Sequence, residues 1–423
     1  MSLLPQQINY IEPHNSLSPD SQAIEISCSP SNGSTFTAGS QIYFDLVSRS
    51  FLDCDSMWIR YNLSVTLGAA TASYVVGCPV YSPFSRCDVL VGSQTVDTIQ
   101  NYNLLMHMLT NTNLDVAQKY GRQASFGYTG TTIPTVAMED LDGRYIGNTS
   151  ATFTTSLAAP LMSCLSNTEK LLPLFAMPAI RVQLTLDSLT NFFFGAAGSS
   201  YSISNVELVY KIVDLGNDVQ NAVRGMGDKI HIKTQSFSTA TNVIPAATQG
   251  YTELVYNQRY SSVKALFAIN GCTGANYVNK NFDSVDICSS NGEYSFMIAG
   301  QIFPQKPLSA LTNRNGILEA LRSANGSVFD KTNSMAINTA EWGYAENGAT
   351  TSAGVPSKFF IGVSTQKLGH SALLAGISTE NSPISYRVSL GTATGQTHNI
   401  TLVVNYDALW EIDFVNRQVT LKV

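Results

Sequence analysis

Short runs in which apolar and polar residues alternate recur along almost the whole chain, and they limit the fold more than any other feature of the sequence. Residues 41–47 (QIYFDLV) and 58–67 (WIRYNLSVTL) show the alternation clearly. A period of two residues places apolar side chains on one face of a strand, so each run predicts a half-buried antiparallel strand. Further candidate strands lie at residues 182–186, 206–213, 230–237, 263–269, 294–302, 359–363, 385–390, 400–406 and 419–423. Many short strands at such spacing predict β-sandwiches.

Three segments have the pattern of a helix instead. Residues 97–110 place apolar side chains on one face behind Asp97, a residue type that caps helix N-termini. Residues 308–322 show the same pattern. Residues 216–227 (GNDVQNAVRGMG) carry the acidic Asp218 near their start, and Arg224 followed by a glycine near their end, which are ordinary start and stop signals. This last predicted helix lies at the middle of the chain.

The two halves of the chain resemble each other in order and spacing. Residues 88–96 (DVLVGSQTV) correspond to residues 295–303 (SFMIAGQIF), and each run precedes a predicted helix. Arg181 and Arg387 open similar runs, and VELVYKIVDL in the first half is matched by ITLVVNYDAL near the carboxyl end. A repeat on this scale predicts two domains with one topology.

Each half has about eight strands in roughly 195 residues, with one helix inserted between its first and second sets of strands, which fits a jelly roll. The predicted fold class is all-β: two tandem eight-stranded jelly-roll sandwiches with a few short helices. The predicted division is an N-terminal arm at residues 1–19, a first jelly roll at 20–213, a helical linker at 214–228 and a second jelly roll at 229–423. We expect the long loops at 111–152 and 323–356 to lie on outer surfaces or between copies.

Charge is scarce in this chain. Asp, Glu, Lys and Arg make up 13% of the residues, about half of the roughly 25% that is usual. A net charge of −6 without any basic run argues against a broad nucleic-acid-binding face. The N-terminus lacks a signal-peptide pattern, and no apolar stretch is long enough to span a membrane. The seven scattered cysteines indicate a reducing compartment.

The sequence offers no catalytic, cofactor-binding or metal-binding constellation. The five histidines are far apart, and no hydrolase, nucleotide or dinucleotide motif is present. Weaker candidates have simpler explanations: we interpret Cys54 between two acids as a structural thiol, Asp283 and Asp286 as solvated carboxylates, the acidic cluster at 139–143 as a polar turn, and the aromatic run at 192–194 as core or intersubunit packing. We therefore predict that the protein is not an enzyme and uses no cofactor.

Three long stretches carry a resemblance to the double jelly-roll major capsid proteins of double-stranded DNA viruses, the hexon-like lineage of adenoviruses, polinton-like viruses and virophages. Residues 203–237 (ISNVELVYKIVDLGNDVQNAVRGMGDKIHIKTQSF) resemble the passage from one roll through a short helix into the next. Residues 249–269 (QGYTELVYNQRYSSVKALFAI) and 400–423 (ITLVVNYDALWEIDFVNRQVTLKV) are similar to the family's second-roll and closing strands.

The resemblance implies a viral major capsid protein whose homotrimer forms a pseudo-hexameric capsomer, tiled into an icosahedral shell around a DNA genome. Partners implied for such a protein are its own copies, neighbouring capsomers, penton and minor capsid proteins, and an internal membrane or membrane protein. Sequence-specific nucleic-acid binding is not expected. The expected location is the virion, after synthesis in the host cytoplasm.

The N-terminal arm contains no Lys or Arg, so it differs from the basic arms with which small capsid proteins bind their genomes. We expect its apolar residues, Leu3, Leu4, Ile8, Tyr10 and Ile11, to dock against neighbouring capsomers or minor proteins. Two alternatives remain at this point. One is a secreted two-jelly-roll amidase acting on glycans, and the other is a carbohydrate-binding sandwich.

Overall fold

The fold was established from a computed structural model of the chain. The structure describes residues 22–423 except the following positions: 48, 67–72, 76–79, 127–135, 139–144, 148–151, 169, 195–198, 226, 273–281, 283, 289–291, 310–312, 326–334, 336, 338–357 and 368–374.

The described residues of the first half form the strands β1 (Gln22–Cys28), β2 (Thr35–Thr37), β3 (Gln41–Asp45), β4 (Phe51–Thr66), β5 (Ser73–Val75), β6 (Phe84–Val91), β7 (Gln94–Gln100), β8 (Val136–Met138), β9 (Tyr145–Gly147), β10 (Thr152–Pro160), β11 (Leu172–Pro173), β12 (Ile180–Leu186), β13 (Phe193–Phe194) and β14 (Ser200–Asp214). The second half contains β15 (Lys229–Ile244), β16 (Gly250–Tyr256), β17 (Val263–Cys272), β18 (Glu293–Ile298), β19 (Gln301–Ser309), β20 (Phe360–Ser364), β21 (Ile384–Leu390), β22 (His398–Asp413) and β23 (Gln418–Lys422). The helices are α1 (Tyr102–Asn113), α2 (Val116–Gly121), α3 (Gln123–Phe126), α4 (Leu189–Phe192), α5 (Gly216–Gly225) and α6 (Arg314–Asn325).

Two sandwiches of the same topology follow one another along the chain. In the first, sheet I has the order β1-β14-β4-β10 and sheet II the order β3-β12-β6-β7. In the second, sheet I is β15-β22-β17-β20 and sheet II is β16-β21-β18-β19. All of these pairings are antiparallel. The prediction of two eight-stranded sandwiches is confirmed, and we call them roll 1 and roll 2.

The alternation in the sequence becomes the inside and outside of each sandwich. In β12, Val182 and Leu184 point into the core of roll 1, while Arg181 lies on the opposite face of the strand and is exposed. The helix α5 connects β14 to β15, and the structure buries none of its residues. It carries Asp218 in its first turn and Arg224 in its last, which complements the helix dipole.

Three boundaries differ from the sequence prediction. Helix α1 begins at Tyr102 behind Asn101, and Asp97 is not its cap but a buried residue of strand β7. Helix α6 begins at Arg314, and Leu308 belongs to β19. The run 294–302 is not one strand but the hairpin of β18 and β19, which turns at Ala299 and Gly300, both with positive φ. In all three places the apolar pattern in the sequence extends past the predicted element and includes a neighbouring strand or turn.

The described parts of the two long loops include residues that pack within the fold. Residues 111–126 are mainly helical, and Lys119 and Phe126 are buried. Gln118 and Arg122 on the same segment are exposed. The surface prediction therefore fails for part of the first loop, because α3 packs on β10. Within the part of the chain that the structure describes, no helix is long and apolar enough to cross a membrane.

Candidate functional site

The residues predicted to dock, Leu3, Leu4, Ile8, Tyr10 and Ile11, all lie outside the described residues. The described residues instead show three surfaces with distinct chemistry. These are the junction between the rolls, the outer face of sheet I in roll 1, and a pair of ion-paired patches on the two sheets II.

Asp97 lies at the centre of the junction between the rolls. This residue of β7 is 5% exposed. Its carboxylate accepts hydrogen bonds from the Ser236 hydroxyl of β15 at 2.7 Å and the Tyr406 hydroxyl of β22 at 3.4 Å. The backbone N–H of Cys164 donates a third bond at 3.0 Å. Burial raises the pKa of Asp97, and the bonds from Ser236 and Cys164 oppose that rise. One side chain of roll 1 thus holds two strands of roll 2.

Further polar contacts cross the junction on either side of Asp97. The indole N–H of Trp410 donates to the hydroxyl of Thr168 at 3.1 Å. Thr239 donates to the backbone carbonyl of Gln100 at 2.6 Å, and Thr234 donates to the carbonyl of Cys164. Because each buried polar group needs a partner, these bonds fix one relative position of the two rolls.

Apolar packing reinforces the same junction. The ring of His107 on α1 lies 5.5 Å from that of Phe282 and 6.2 Å from that of Phe360, measured between centroids. Ile232 and Phe267 of roll 2 belong to the same buried cluster as the core of roll 1. The two rolls are therefore one packed body and not two domains on a flexible tether.

The outer face of sheet I is buried in roll 2 and open in roll 1. Residues of β1 and β4 correspond to those 207 positions later in β15 and β17, as the core-facing pair Ile59 and Leu266 shows. In roll 2 this face carries Ile232, Thr234, Ser236, Ala265, Phe267 and Ile269, all of which are buried. In roll 1 the corresponding residues are Glu25, Ser27, Ser29, Trp58, Arg60 and Asn62, which are exposed or half-buried.

Strand β19 of roll 2 has the converse relation to β7 of roll 1. Strand β7 packs against β15 at the junction. The corresponding strand β19 is exposed over much of its length, and Ile302 is 37% exposed. Asp97 pairs with Val89, and the residue 207 positions after Val89, Phe296, pairs with Phe303, so the carboxylate of the junction has no counterpart in β19.

An ion-paired patch occurs twice, once on sheet II of each roll. In roll 1, Arg181 bonds Asp45 across the strand pair at 2.6 Å, and its guanidinium lies 5.3 Å from the ring centroid of Tyr43. In roll 2, Arg387 bonds Glu253 at 3.2 Å, and its guanidinium lies 5.8 Å from the ring centroid of Tyr251.

The pairing register explains why both patches form. Arg181 is directly opposite Asp45, and Arg387 is directly opposite Glu253, with a tyrosine two residues before each acid. Residues two apart on a strand share a face. Arg181 keeps the pKa of Asp45 below its ordinary value through their hydrogen bond. Tyr251 is 61% exposed, so the roll 2 patch presents an aromatic ring to the surroundings.

The chemical candidates that the sequence raised have structural roles where they are described. Burial raises the pKa of the Cys54 thiol to about 12, so it is not an activated nucleophile. Asp286 is not solvated as the sequence suggests: it is buried and accepts bonds from the Tyr294 hydroxyl and the Cys288 N–H. Phe192 and Phe193 are buried against Tyr201. Among the described residues, no group of three His, Cys, Asp or Glu could hold a metal ion. Asp283 and the acidic residues at 139–142 lie outside the described residues.

No protein-family model matches the sequence, and no curated protein matches it either. Solved structures do match over nearly the whole chain. The Faustovirus major capsid protein is 10% identical with a TM-score of 0.63, covering 95% of this chain and 92% of its own. The mavirus major capsid protein is 11% identical with a TM-score of 0.56, covering 100% and 95%. A structure of the PBCV-1 virus capsid is 12% identical with a TM-score of 0.58, covering 97% of both chains. The chain therefore has the double jelly-roll fold of these viral major capsid proteins.

Proposed function

We propose that this protein is a viral major capsid protein that forms a homotrimeric, pseudo-hexameric capsomer. The observation that carries the proposal is the unequal burial of the outer face of sheet I. Roll 2 packs this face against roll 1 of its own chain, whereas roll 1 leaves the same face open. A second copy of the chain can complete roll 1 in the way that roll 1 completes roll 2.

Repeating the junction between chains leads to a closed ring. The open face around Trp58 in one copy packs against roll 2 of the next copy, on the side of β19. Such a head-to-tail contact is heterologous, and it closes into a ring when the rotation allows. Two rolls per chain require three chains for an almost six-fold ring. The scarcity of charge supports extensive contact, because interface cores are depleted of Lys, Glu and Asp.

The capsomer would tile an icosahedral shell around a DNA genome, which places the protein in the virion. Its partners would be neighbouring capsomers, penton proteins and minor capsid proteins, together with an internal membrane or membrane protein where the virus has one. The N-terminal residues 3–11 would dock on these neighbours. We propose no catalytic activity, and no described residue favours the glycan-acting amidase.

The mass of the purified protein in solution tests the proposal directly. Light scattering after size exclusion should give three times the chain mass of 45.7 kDa, and negative-stain images should show hexagonal particles. A stable monomer at assembly concentrations would contradict the proposal. Saturable glycan binding or glycan hydrolysis by a monomer would favour the two alternatives instead.

A further inference from the structure

A cavity of about 310 Å³ lies where roll 1, the helix α5 and the hairpin of β22 and β23 in roll 2 meet. Its size is at the lower limit of ligand-binding pockets, which start near ~300 Å³. Phe175, Ala176, Phe414 and Val415 supply apolar surface, and Arg224, Arg417 and Asp228 supply charges. Val415 is 69% exposed, more than any other large apolar residue that the structure describes.

The two arginines give this pocket its character. The guanidinium of Arg224 lies 5.1 Å from the ring centroid of Phe175, a stacking that leaves its N–H groups free to bind an acceptor at the edge. Among the described residues, neither Arg224 nor Arg417 forms an ion pair. Asp228 is the one acid among the described residues that line the pocket, which therefore suits an apolar group that carries a negative charge or exposed carbonyls.

The backbone at Arg417 adopts a left-handed conformation that is unfavourable for arginine. Arg417 has φ of 49° in the turn between β22 and β23, a conformation that glycine or asparagine adopts at lower cost. The preceding Asn416 is bound to Asp413 through its side chain and its N–H. Strain of this kind is retained where the surroundings or a function require it. The turn therefore keeps a long cationic side chain at a position where a small residue would be less strained.

The N-terminal segment of the chain has the complementary composition. Residues 1–21 contain two acids, Glu12 and Asp20, and no Lys or Arg. Their apolar residues are concentrated between Leu3 and Ile11, directly before Glu12. The described chain begins at Gln22, which pairs with Asp214 just before α5 begins. Arg224 lies at the other end of that ten-residue helix, about 15 Å away at 1.5 Å per residue.

We propose that this pocket receives residues 3–12 from a copy of the chain in a neighbouring capsomer. The apolar side chains would cover Phe175, Phe414 and Val415, and Glu12 would pair with Arg224 and Arg417. Residues 13–21 can extend to about 30 Å, since a residue spans at most ~3.3–3.6 Å, so the chain's own segment can reach the pocket as well, and the dilution experiment below distinguishes the two sources. The neighbour as the source rests on the proposed capsid function, whereas binding of the segment to the pocket does not.

Peptide binding to a truncated protein tests the pocket. A fluorescent peptide of residues 1–15 is titrated onto protein that lacks residues 1–15, and saturable binding is expected. Arg417→Glu in the protein should weaken binding at least tenfold, and a peptide with Glu12→Lys should recover affinity for that variant. Arg322→Glu is the matched control, because Arg322 is exposed on α6 and makes the same charge change outside the pocket. Equal weakening by both variants, or equal binding of a scrambled peptide, would overturn the proposal.

Dilution distinguishes a neighbour's segment from the chain's own. Dilute full-length protein should bind the peptide as tightly as truncated protein, because segments of neighbouring capsomers have dissociated. Weaker binding by full-length protein at every concentration would show that its own segment, or that of the same trimer, fills the pocket, and the proposal would be wrong. A monomeric mass would contradict the capsid function while leaving the peptide result to be judged alone.

Discussion

Strands β4 and β17 occupy the same position in sheet I of the two rolls, yet their sequences match different surroundings. Strand β4 alternates, as in WIRYNLSV, because one face meets the core of roll 1 and the other stays open. Strand β17 reads VKALFAI, and the structure buries residues 265–269 on both faces. A continuous apolar run is typical of a strand that is covered on both sides. The same topology thus carries two surface designs, and the difference marks where a second chain can pack.

The largest expected effect separates Phe267 from its counterpart Arg60. Phe267→Ala should lower the free energy of unfolding by about 3–5 kcal/mol, because it removes a fully buried ring from the packing between sheet I and its cover. Arg60→Ala at the corresponding open position should change it by less than about 0.5 kcal/mol. Urea unfolding of both variants measures the difference. Similar losses would show that the open face of roll 1 already has a cover within the chain.

Asp97 at the junction should have the next largest effect. Asp97→Ala leaves the buried donors of Ser236 and Cys164 without their acceptor, which should cost about 2 kcal/mol in unfolding free energy. Asp97→Asn is the control, since it keeps one acceptor oxygen and should lose less. If urea unfolding of Asp97→Ala matched wild type, the polar contacts would not hold the rolls together.

The pH dependence of the stability difference between wild type and Asp97→Asn tests the direction of the pKa shift of Asp97. Burial raises the pKa of Asp97, so the folded state binds this proton more tightly than the unfolded state does. The stability of wild type relative to Asp97→Asn should be greatest below the ordinary carboxyl pKa of ~3.9 and should fall as pH rises through the raised pKa. The opposite slope would mean that Asp97 is held as a stabilised anion.

Trp58 should matter for assembly and not for the folding of the single chain. It is half-buried on the open face of β4, and tryptophan is enriched among residues that dominate interface energies. Trp58→Ala should weaken trimer formation by about 2 kcal/mol, roughly thirtyfold, with little change in the unfolding of dissociated chains. Val243→Ala, at a valine that is 51% exposed on β15, serves as a control. An unchanged trimer dissociation constant would remove Trp58 from the interface.

The smallest effects should come from the two ion-paired patches. The Arg181–Asp45 pair is 44% and 45% exposed, whereas the Arg387–Glu253 pair is 21% and 30% exposed. Surface pairs contribute about 0–1 kcal/mol, so Arg181→Ala should be nearly neutral and Arg387→Ala should cost more, up to about 1 kcal/mol. A double-mutant cycle with the partner acid isolates each pair. The reverse order would show that exposure does not set their strength.

The fold could be predicted from the sequence because alternation is a local signal of each strand, and because the same order of strands occurs in both halves of the chain. The Arg181 and Arg387 runs were visible as repeated markers, but their partners Asp45 and Glu253 depend on strand register, which the sequence does not display. The sequence predicts Asp97 as a helix cap, which is wrong, because a buried acid and a capping acid look alike before the fold is known. The β18–β19 hairpin could have been found from its match to the run around Gly92, where a glycine turn is explicit.

The helix α5 helps to explain why the junction between the two rolls can consist largely of polar contacts. Because α5 keeps the two rolls in one chain, their docking is intramolecular, and contacts that are individually weak suffice to hold it. A contact between separate chains has no such assistance. Since the strand pairing puts Phe303 of β19 at the register position that Asp97 has in β7, we expect association between copies to depend on apolar and aromatic area.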